Sequence, residues 1–336
     1  MASANTQATS PIINPRDHLT TLFNFIPQTS QSYVPPFVGH SSHNTDTMIL
    51  FPRFHLFEFI DQPWCPHWFR GYAQTFLLGL WDLHIPGLTF HTPATSVSEI
   101  IIQNFPNACN FTFVDLCAGA GGPTPIIERL LNTTLAEQGK DTAQFVLTDL
   151  YPSLQQWRAI TENSTSITFL ETPLDARDCK RISPDPRQKE CRMFNASFHH
   201  FDDESAIGVL KSVISEADAF VIQEGAQRDL SSLFSCTLGA LIYPFIFTLA
   251  TPTYRRSPVH LLFTYMLPLI PLMMFVDALV STIRTRTTKE LEKLVEQTGL
   301  DLAKWEFRSG QTLCIRPLLW THWFIGVRKG PALDWK

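Results

Sequence analysis

Two acidic residues, Asp115 and Asp149, each close a run of apolar residues, and Gly119, Gly121 and Gly122 lie between them. A carboxylate accepts hydrogens from hydroxyl or amine groups. A glycine turn lets the main chain approach a flat or charged ligand and leaves backbone N–H groups pointing outward. Further on, His199 and His200 follow Asn195, and Glu224 closes another apolar run. An imidazole at such a place can take a proton from a hydroxyl acceptor. His199 is the first candidate for that role and His200 the second. The plainer alternative is that one histidine packs under a ligand and the other is solvated. Asp202 and Asp203 suit the start of a helix, where acids meet the positive end of the dipole.

These residues need strands to carry them. Phe111 to Pro125, FTFVDLCAGAGGPTP, reads as a buried strand ending at Asp115, a glycine turn and a helix start, with Pro123 and Pro125 in the first helical turn. That is the opening of a nucleotide-type site in an open α/β sheet. QFVLTD (144–149), ITFLE (167–171), CRMFNAS (191–197) and DAFVIQE (218–224) read as four more strands, with helical SLQQWRAI and ESAIGVLKSVISEA between them. Strands separated by helices argue for a parallel sheet with right-handed crossovers. TKELEKLVEQTG then reads as a helix with a glycine stop. LAKWEFRSGQTLCIRP and THWFIGVRK read as two strands joined by a short connection, a closing hairpin in an otherwise parallel sheet.

With 336 residues, 44% of them hydrophobic and 17% charged, the chain has material for a substantial core. The net charge of −5 and the lack of a basic stripe argue against nucleic acid as a partner. Seven cysteines show no CxxC spacing, and the histidines lack ligand spacing, so reduced thiols, an intracellular protein and no metal are expected. Residues 1–47 are polar and aperiodic and read as a flexible extension with no signal-peptide core. Residues 48–108 are aromatic, with a helix from Pro66 to about Ile85, and are expected to pack over the sheet edge or the ligand mouth. Core packing by Trp64, Trp68, Phe69 and Trp81 is the favoured role there, and Trp64 with His91 could also line an acceptor pocket. The segment from Asp178 to Glu190 reads as a charged surface loop.

Over roughly 110–328 the chain resembles the class I S-adenosylmethionine-dependent methyltransferases. Val114-Asp115-Leu116-Cys117-Ala118-Gly119-Ala120-Gly121 is similar to the family's first motif, with Cys117 in place of its usual first glycine. Asp149 matches the acid that ends strand two and holds the ribose hydroxyls, and Asp175-Ala176 the pair beside the adenine. Asn195 to Phe201 is similar to the family's strand-four end. EFIDQPW, VDLCAGAGGP, FHHF and VSTIRTRTTKEL are similar to a group of bacterial and fungal methyltransferase-like proteins. The resemblance implies a Rossmann-like α/β sheet of seven strands with a reversed final strand, and S-adenosyl-L-methionine as cofactor. It implies a cofactor site of Asp115, Cys117, Ala118, Gly119, Gly121, Asp149, Asp175, Ala176 and Asn195. The core would comprise 109–228 and 285–330. Two other classes stay open: a nicotinamide-dependent oxidoreductase, and a non-catalytic membrane-associated protein that keeps the fold.

Residues 229–284 form an apolar insertion. Leu230 to Tyr254 has no charged residue, and Val259 to Ile283 has only Asp277. Each block approaches the ~20 residues needed to cross a bilayer. Against a full crossing stand the need for both ends to return to the core, Arg255 and Arg256 at the tip, and Pro244, Pro268 and Pro271. A hairpin in or on a membrane and an apolar soluble cap both remain. Either suggests an apolar small-molecule acceptor or one delivered from a membrane, with the protein in the cytosol or on a membrane's cytosolic face.

Overall fold

A computed structural model describes residues 48–84, 89, 91–183, 185, 187–315 and 319–329. Seven strands form one sheet: β1 (Phe111–Asp115), β2 (Gln144–Leu147), β3 (Ile167–Phe169), β4 (Lys189–Asn195), β5 (Ala219–Glu224), β6 (Trp305–Ile315) and β7 (Leu319–Arg328). Their order is β3-β2-β1-β4-β5-β7-β6. β1 to β5 run parallel, and β7 runs antiparallel to both β5 and β6. This is the Rossmann-like methyltransferase sheet with its reversed final strand. The order reverses between β1 and β4, which opens a crevice at the carboxyl ends of those strands.

Alternation along each strand builds two cores. Phe113, Phe145, Leu147 and Met193 face α2 (Pro93–Asn104), α3 (Thr124–Glu137) and α4 (Leu154–Thr161), and Phe113 stacks on Phe145 at 5.2 Å. Val114, Val146, Phe194 and Phe220 face α5 (Asp203–Glu216) and α8 (Thr288–Gln297) on the other side. Asp202 caps α5, accepting from Ser205 N at 2.8 Å, as acids at that position suggest. Thr287 and Glu290 form a capping box on α8.

A third core joins the aromatic segment to the insertion. Phe69, Tyr72 and Phe76 of α1 (His67–Trp81) pack against Ala240 and Phe247 of α6 (Leu230–Ala250) and Ile270 and Met274 of α7 (Leu269–Arg284). The Tyr72 hydroxyl donates at 3.2 Å to the carbonyl of Pro244, which lies inside α6 without interrupting it, against the expectation that this proline would break the helix. Gly79 lets this contact close, since a Cβ there would lie 3.0 Å from Phe247. Helix α1 stops at Trp81, short of the expected Ile85, which lies outside the described residues. Phe69 is buried and Trp81 packs partly against the first core. Trp64 and Trp68 are exposed rather than core residues, because α1 turns Phe69, Tyr72 and Phe76 inward instead.

β4 begins at Lys189, two residues before the expected start. Glu190, expected at the end of a surface loop, is therefore inside the strand and fully buried. Its Oε1 accepts from Arg192 Nε at 2.9 Å, and its Oε2 accepts from Ile182 N and Ser183 N. Arg192 also donates to Cys179 O at 2.9 Å and Ser212 Oγ at 3.1 Å. Removing one member of such a pair leaves a buried charge unpaired. Arg192→Met is expected to lower stability by about 3–5 kcal/mol in chemical denaturation. The double variant with Glu190→Gln should lose clearly less than the sum of the single losses.

Candidate functional site

The glycine turn after β1 stands at the mouth of the crevice. Gly119, Gly121 and Gly122 have φ of +53°, +115° and +49°, and a Cβ on Gly121 would lie 2.4 Å from Ile160 Cδ1. Cys117 replaces a glycine at no backbone cost, because its φ is not left-handed. The thiol is raised well above its ordinary value by burial and by the charges of Asp149 and Asp115. Ala118 N donates to Thr148 O at 3.0 Å and Trp157 Nε1 to Gly119 O at 3.0 Å, so the turn is held from two sides.

Asp149 helps to build this turn. Its Oδ2 accepts from Gly119 N at 2.9 Å and its Oδ1 from Tyr151 N at 2.8 Å. Each oxygen keeps a second lone pair for a ligand hydroxyl. Burial raises its carboxyl above the ordinary value, against the pull of those backbone donors. Leu174 N donates to Asp149 O at 3.0 Å, which brings the Asp175–Ala176 turn alongside. Ala176 is buried. Both oxygens of the half-buried Asp175 carboxylate are engaged by Arg177, Oδ1 accepting from its backbone N at 2.9 Å and Oδ2 from Nη2 at 2.6 Å.

Asp115 lies deeper, on β1. Its Oδ2 accepts from Thr124 Oγ1 at 2.6 Å and Asn195 Nδ2 at 3.1 Å. Among the described residues its Oδ1 has no hydrogen-bond partner, and neither have Asn195 Oδ1, Ser197 Oγ and Gln223 Oε1. Buried polar atoms are normally paired. Here the carboxyl ends of β1, β4 and β5 present a set rich in acceptors, with a single hydroxyl able to donate, and such a set suits a ligand that brings N–H donors or positive charge. Ala196, between Asn195 and Ser197, has φ of +47°, a strained value for a residue with a Cβ. Its N–H donates to Gln223 O at 2.8 Å, which fixes the bend. Burial pushes the Asp115 carboxyl up to about 6, although the Thr124 and Asn195 hydrogen bonds oppose the shift.

The two histidines lie on a short turn after β4, Phe198–His200, with ring centroids 4.3 Å apart. His199 is buried; its N–H donates to Glu224 Oε1 at 3.0 Å, and its Nδ1 lies 2.8 Å from Glu224 Oε2. Glu224 thus orients the ring, with the proton assigned to Nδ1 and Nε2 left as the lone-pair atom. His200 Nδ1 is 3.3 Å from Asp61 Oδ2. Burial lowers the His200 imidazole, but its hydrogen bond to Asp61 and the Glu58 charge outweigh this and raise it to about 9.

Three residues of this cluster were missed by sequence reasoning: Glu58, Asp61 and Arg284. Arg284 Nη1 donates to Glu58 Oε1 at 3.0 Å and Asp61 Oδ2 at 2.9 Å. Glu58 is buried and also accepts from Ser281 Oγ at 3.0 Å. The available signal was two acids three residues apart inside the aromatic run EFIDQPW, but their partners are more than 130 residues away. The aromatic segment reaches the turn after β4 through these two acids. Trp64 packs edge-on against Phe59, and His91 faces Glu99 at 3.6 Å; neither contacts the histidine turn.

No protein-family model matches the chain, and no curated protein matches it in sequence. Solved structures similar to it include the plantazolicin methyltransferase BpumL, in complex with a desmethyl substrate analogue and S-adenosylhomocysteine. That match has 10% identity, covers 70% of this chain and 84% of that one, and has a TM-score of 0.41. Loganic acid methyltransferase with S-adenosylhomocysteine matches at 11% identity over 71% of this chain and 94% of that one, with a TM-score of 0.41. A putative Zn-dependent alcohol dehydrogenase from Rhodobacter sphaeroides matches at 11% over 69% and 88%, with a TM-score of 0.38. Likenesses this distant do not select a chemistry.

The Asp115 carboxyl gives a pH test. The folded chain holds its proton up to about pH 6, whereas the ordinary value is 3.8. The folded state therefore binds more protons between these values, and this contribution to stability falls as pH rises through them. The difference in unfolding free energy between wild type and Asp115→Asn should shift against the wild type by about 2 kcal/mol between about pH 4 and pH 6.

Proposed function

We propose that this protein is an S-adenosylmethionine-dependent methyltransferase acting on an apolar small molecule reached from a membrane surface. The observation that carries the enzymatic part is the set of unpartnered acceptors on Asp115, Asn195 and Gln223, next to the Gly119–Asp149 turn, in a methyltransferase-type sheet. The cofactor carries an electrophilic methyl group on a sulfonium, so the protein supplies mainly binding and alignment. Asp149 would accept from vicinal ribose hydroxyls with its remaining lone pairs. Asp115 Oδ1 and Asn195 Oδ1 would take N–H donors of the amino acid end. Ala118, Gly119 and Gly121 carry the main chain past the ligand, with Cys117 beneath it. Asp175 and Ala176 would bound the adenine side. His199 and His200 stand on the acceptor side, where Glu224 holds the His199 ring in place.

The membrane part rests on the inverted polarity of α6. The residues it buries include Ser232, Thr237, Ala240 and Thr248, while Leu230, Phe234, Ile242, Ile246 and Leu249 are exposed. Small and hydroxyl side chains between helices, with large apolar ones outside, suit contact with lipid. Thr248 meets the hydroxyls of Tyr72 and Thr264 inside the packing. α6, at 21 residues, is long and apolar enough to cross a bilayer, whereas the segments Pro258–Met266 and Leu269–Arg284 meet at a 71° bend. Exposed Leu262, Met266, Leu267 and Leu272 extend the apolar surface around that bend. A hairpin embedded from one side keeps Arg284 at the active cluster and places its apolar bend in lipid.

Calorimetric titration of S-adenosylmethionine tests the first part. Asp149→Ala should weaken binding by about 1–3 kcal/mol, as for a lost hydrogen bond to a charged group. Binding of NADH instead, or of neither ligand by the folded wild type, would overturn it. For the second part, wild type should float with phosphatidylcholine vesicles. Ile242→Lys combined with Ile246→Lys should remain unbound while its cofactor affinity stays unchanged.

A further inference from the structure

The histidine turn and the aromatic segment bring together ligand atoms of three side chains, a carboxylate and two imidazoles. One donor atom each from Glu58, His199 and His200 lies within 4.8 Å of the other two. The closest approaches to Glu58 are 3.9 Å from His199 Nε2 and 3.8 Å from His200 Nδ1. These gaps are too long for hydrogen bonds, which end near 3.2 Å for N–H···O. They run to the two different oxygens of Glu58 and exceed by a few tenths of an ångström the roughly 3.3–3.6 Å between tetrahedral ligands at about 2.0–2.2 Å, so a bound ion would draw the groups slightly together.

The surroundings are also organised for a cation. Glu224 engages His199 through Nδ1 at 2.8 Å and aims Nε2 at Glu58. A carboxylate behind a histidine is the usual second support of a metal-binding imidazole. Arg284 occupies Glu58 Oε1 and Asp61 Oδ2, which leaves Glu58 Oε2 and Asp61 Oδ1 toward His200. Among the described residues, Glu58, Asp61 and Glu224 meet the two imidazoles, and Arg284 is the guanidinium that does so. Three carboxylates against one guanidinium give the cluster more oxygen ligands than fixed positive charges.

We propose that Glu58, His199 and His200 hold a divalent transition-metal cation, with Asp61 as a further carboxylate ligand. Two imidazoles with a carboxylate suit zinc, manganese, iron or cobalt better than calcium or magnesium. The site joins the β4 end to the aromatic segment and faces the proposed acceptor side. Bound there, the cation would present a Lewis-acidic position to an oxygen-bearing acceptor. Binding of the ion does not depend on the methyl-transfer reading.

Cobalt(II) is the probe. The full chain, stripped with chelator, is expected to take up one equivalent and develop visible d–d absorption that zinc(II) displaces. His200→Ala, at a partly exposed position, and Glu58→Gln should each weaken uptake at least tenfold. Asp149→Ala should bind cobalt as the wild type does, which separates this site from the cofactor turn. Thermal unfolding with and without zinc(II) is a second readout, and the wild type should gain stability that the His200→Ala variant does not. A folded wild type that shows neither d–d absorption nor a zinc-dependent shift would overturn the proposal and leave the cluster balanced by protons on the imidazoles. Uptake unchanged in both variants would overturn it as well.

Discussion

Burial of the Glu58 carboxylate is the constraint around which the molecule is arranged. A charge with almost no solvent contact must be paired and hydrogen-bonded. Arg284, at the end of α7, meets that need together with Ser281 one turn earlier. The same guanidinium binds Asp61 and donates to Leu56 O, while Arg53 donates back to Arg284 O at 2.6 Å. Segment 53–61 is thereby tied to the insertion, and both are brought against the histidine turn. Asp277 adds a second tie, accepting from Phe59 N at 2.6 Å and Ile60 N at 3.1 Å. The cover over the β4 end is thus held by charges as well as by aromatic packing.

The insertion therefore has two jobs in one element. Its inner end supplies Arg284 to the polar cluster, and its outer surface is apolar. In a water-soluble helix the polar face looks outward. In α6 Ser232, Thr237, Ala240 and Thr248 are buried together with Phe247, and Thr248 meets the hydroxyls of Tyr72 and Thr264. An apolar acceptor entering beside this hairpin would pass from an apolar surface to the strand ends with little exposure to water. The strained Ala196 and the unpartnered oxygens near it lie at the carboxyl ends of the strands, and such departures from ordinary packing concentrate where a ligand completes the site.

Much of the core was legible along the chain. The strands read as closing at Asp115, Asp149 and Glu224 are short apolar runs followed by acids, although β2 ends at Leu147, two residues before Asp149, and their alternation with helices led to a parallel sheet closed by a hairpin. The positive φ of Gly119 and Gly121 agrees with the turn read from their spacing. Local patterns succeed here because each element's two-residue or helical period reports its own burial. The same method placed Glu190 on the surface, because a charged residue ordinarily avoids the interior. Arg192, two residues on, supplies the partner that makes its burial tolerable. The sequence also suggested a core role for Trp64 and Trp68, since it cannot tell which aromatic residues of a continuous run turn inward.

The sequence by itself determined the sheet, the glycine turn, the acids at the strand ends and the existence of an apolar hairpin, because these depend on neighbours within a few residues. Tertiary structure alone decided that Glu58 and Asp61 reach His199 and His200, and that Arg284 closes the group. It also decided that Asp175 is engaged by Arg177, and that α6 turns its polar side inward. The first of those outcomes depends on pairing charges far apart in the chain, and a buried charge takes whichever partner the fold delivers to it; the other two depend on how a turn and a helix lie against their neighbours.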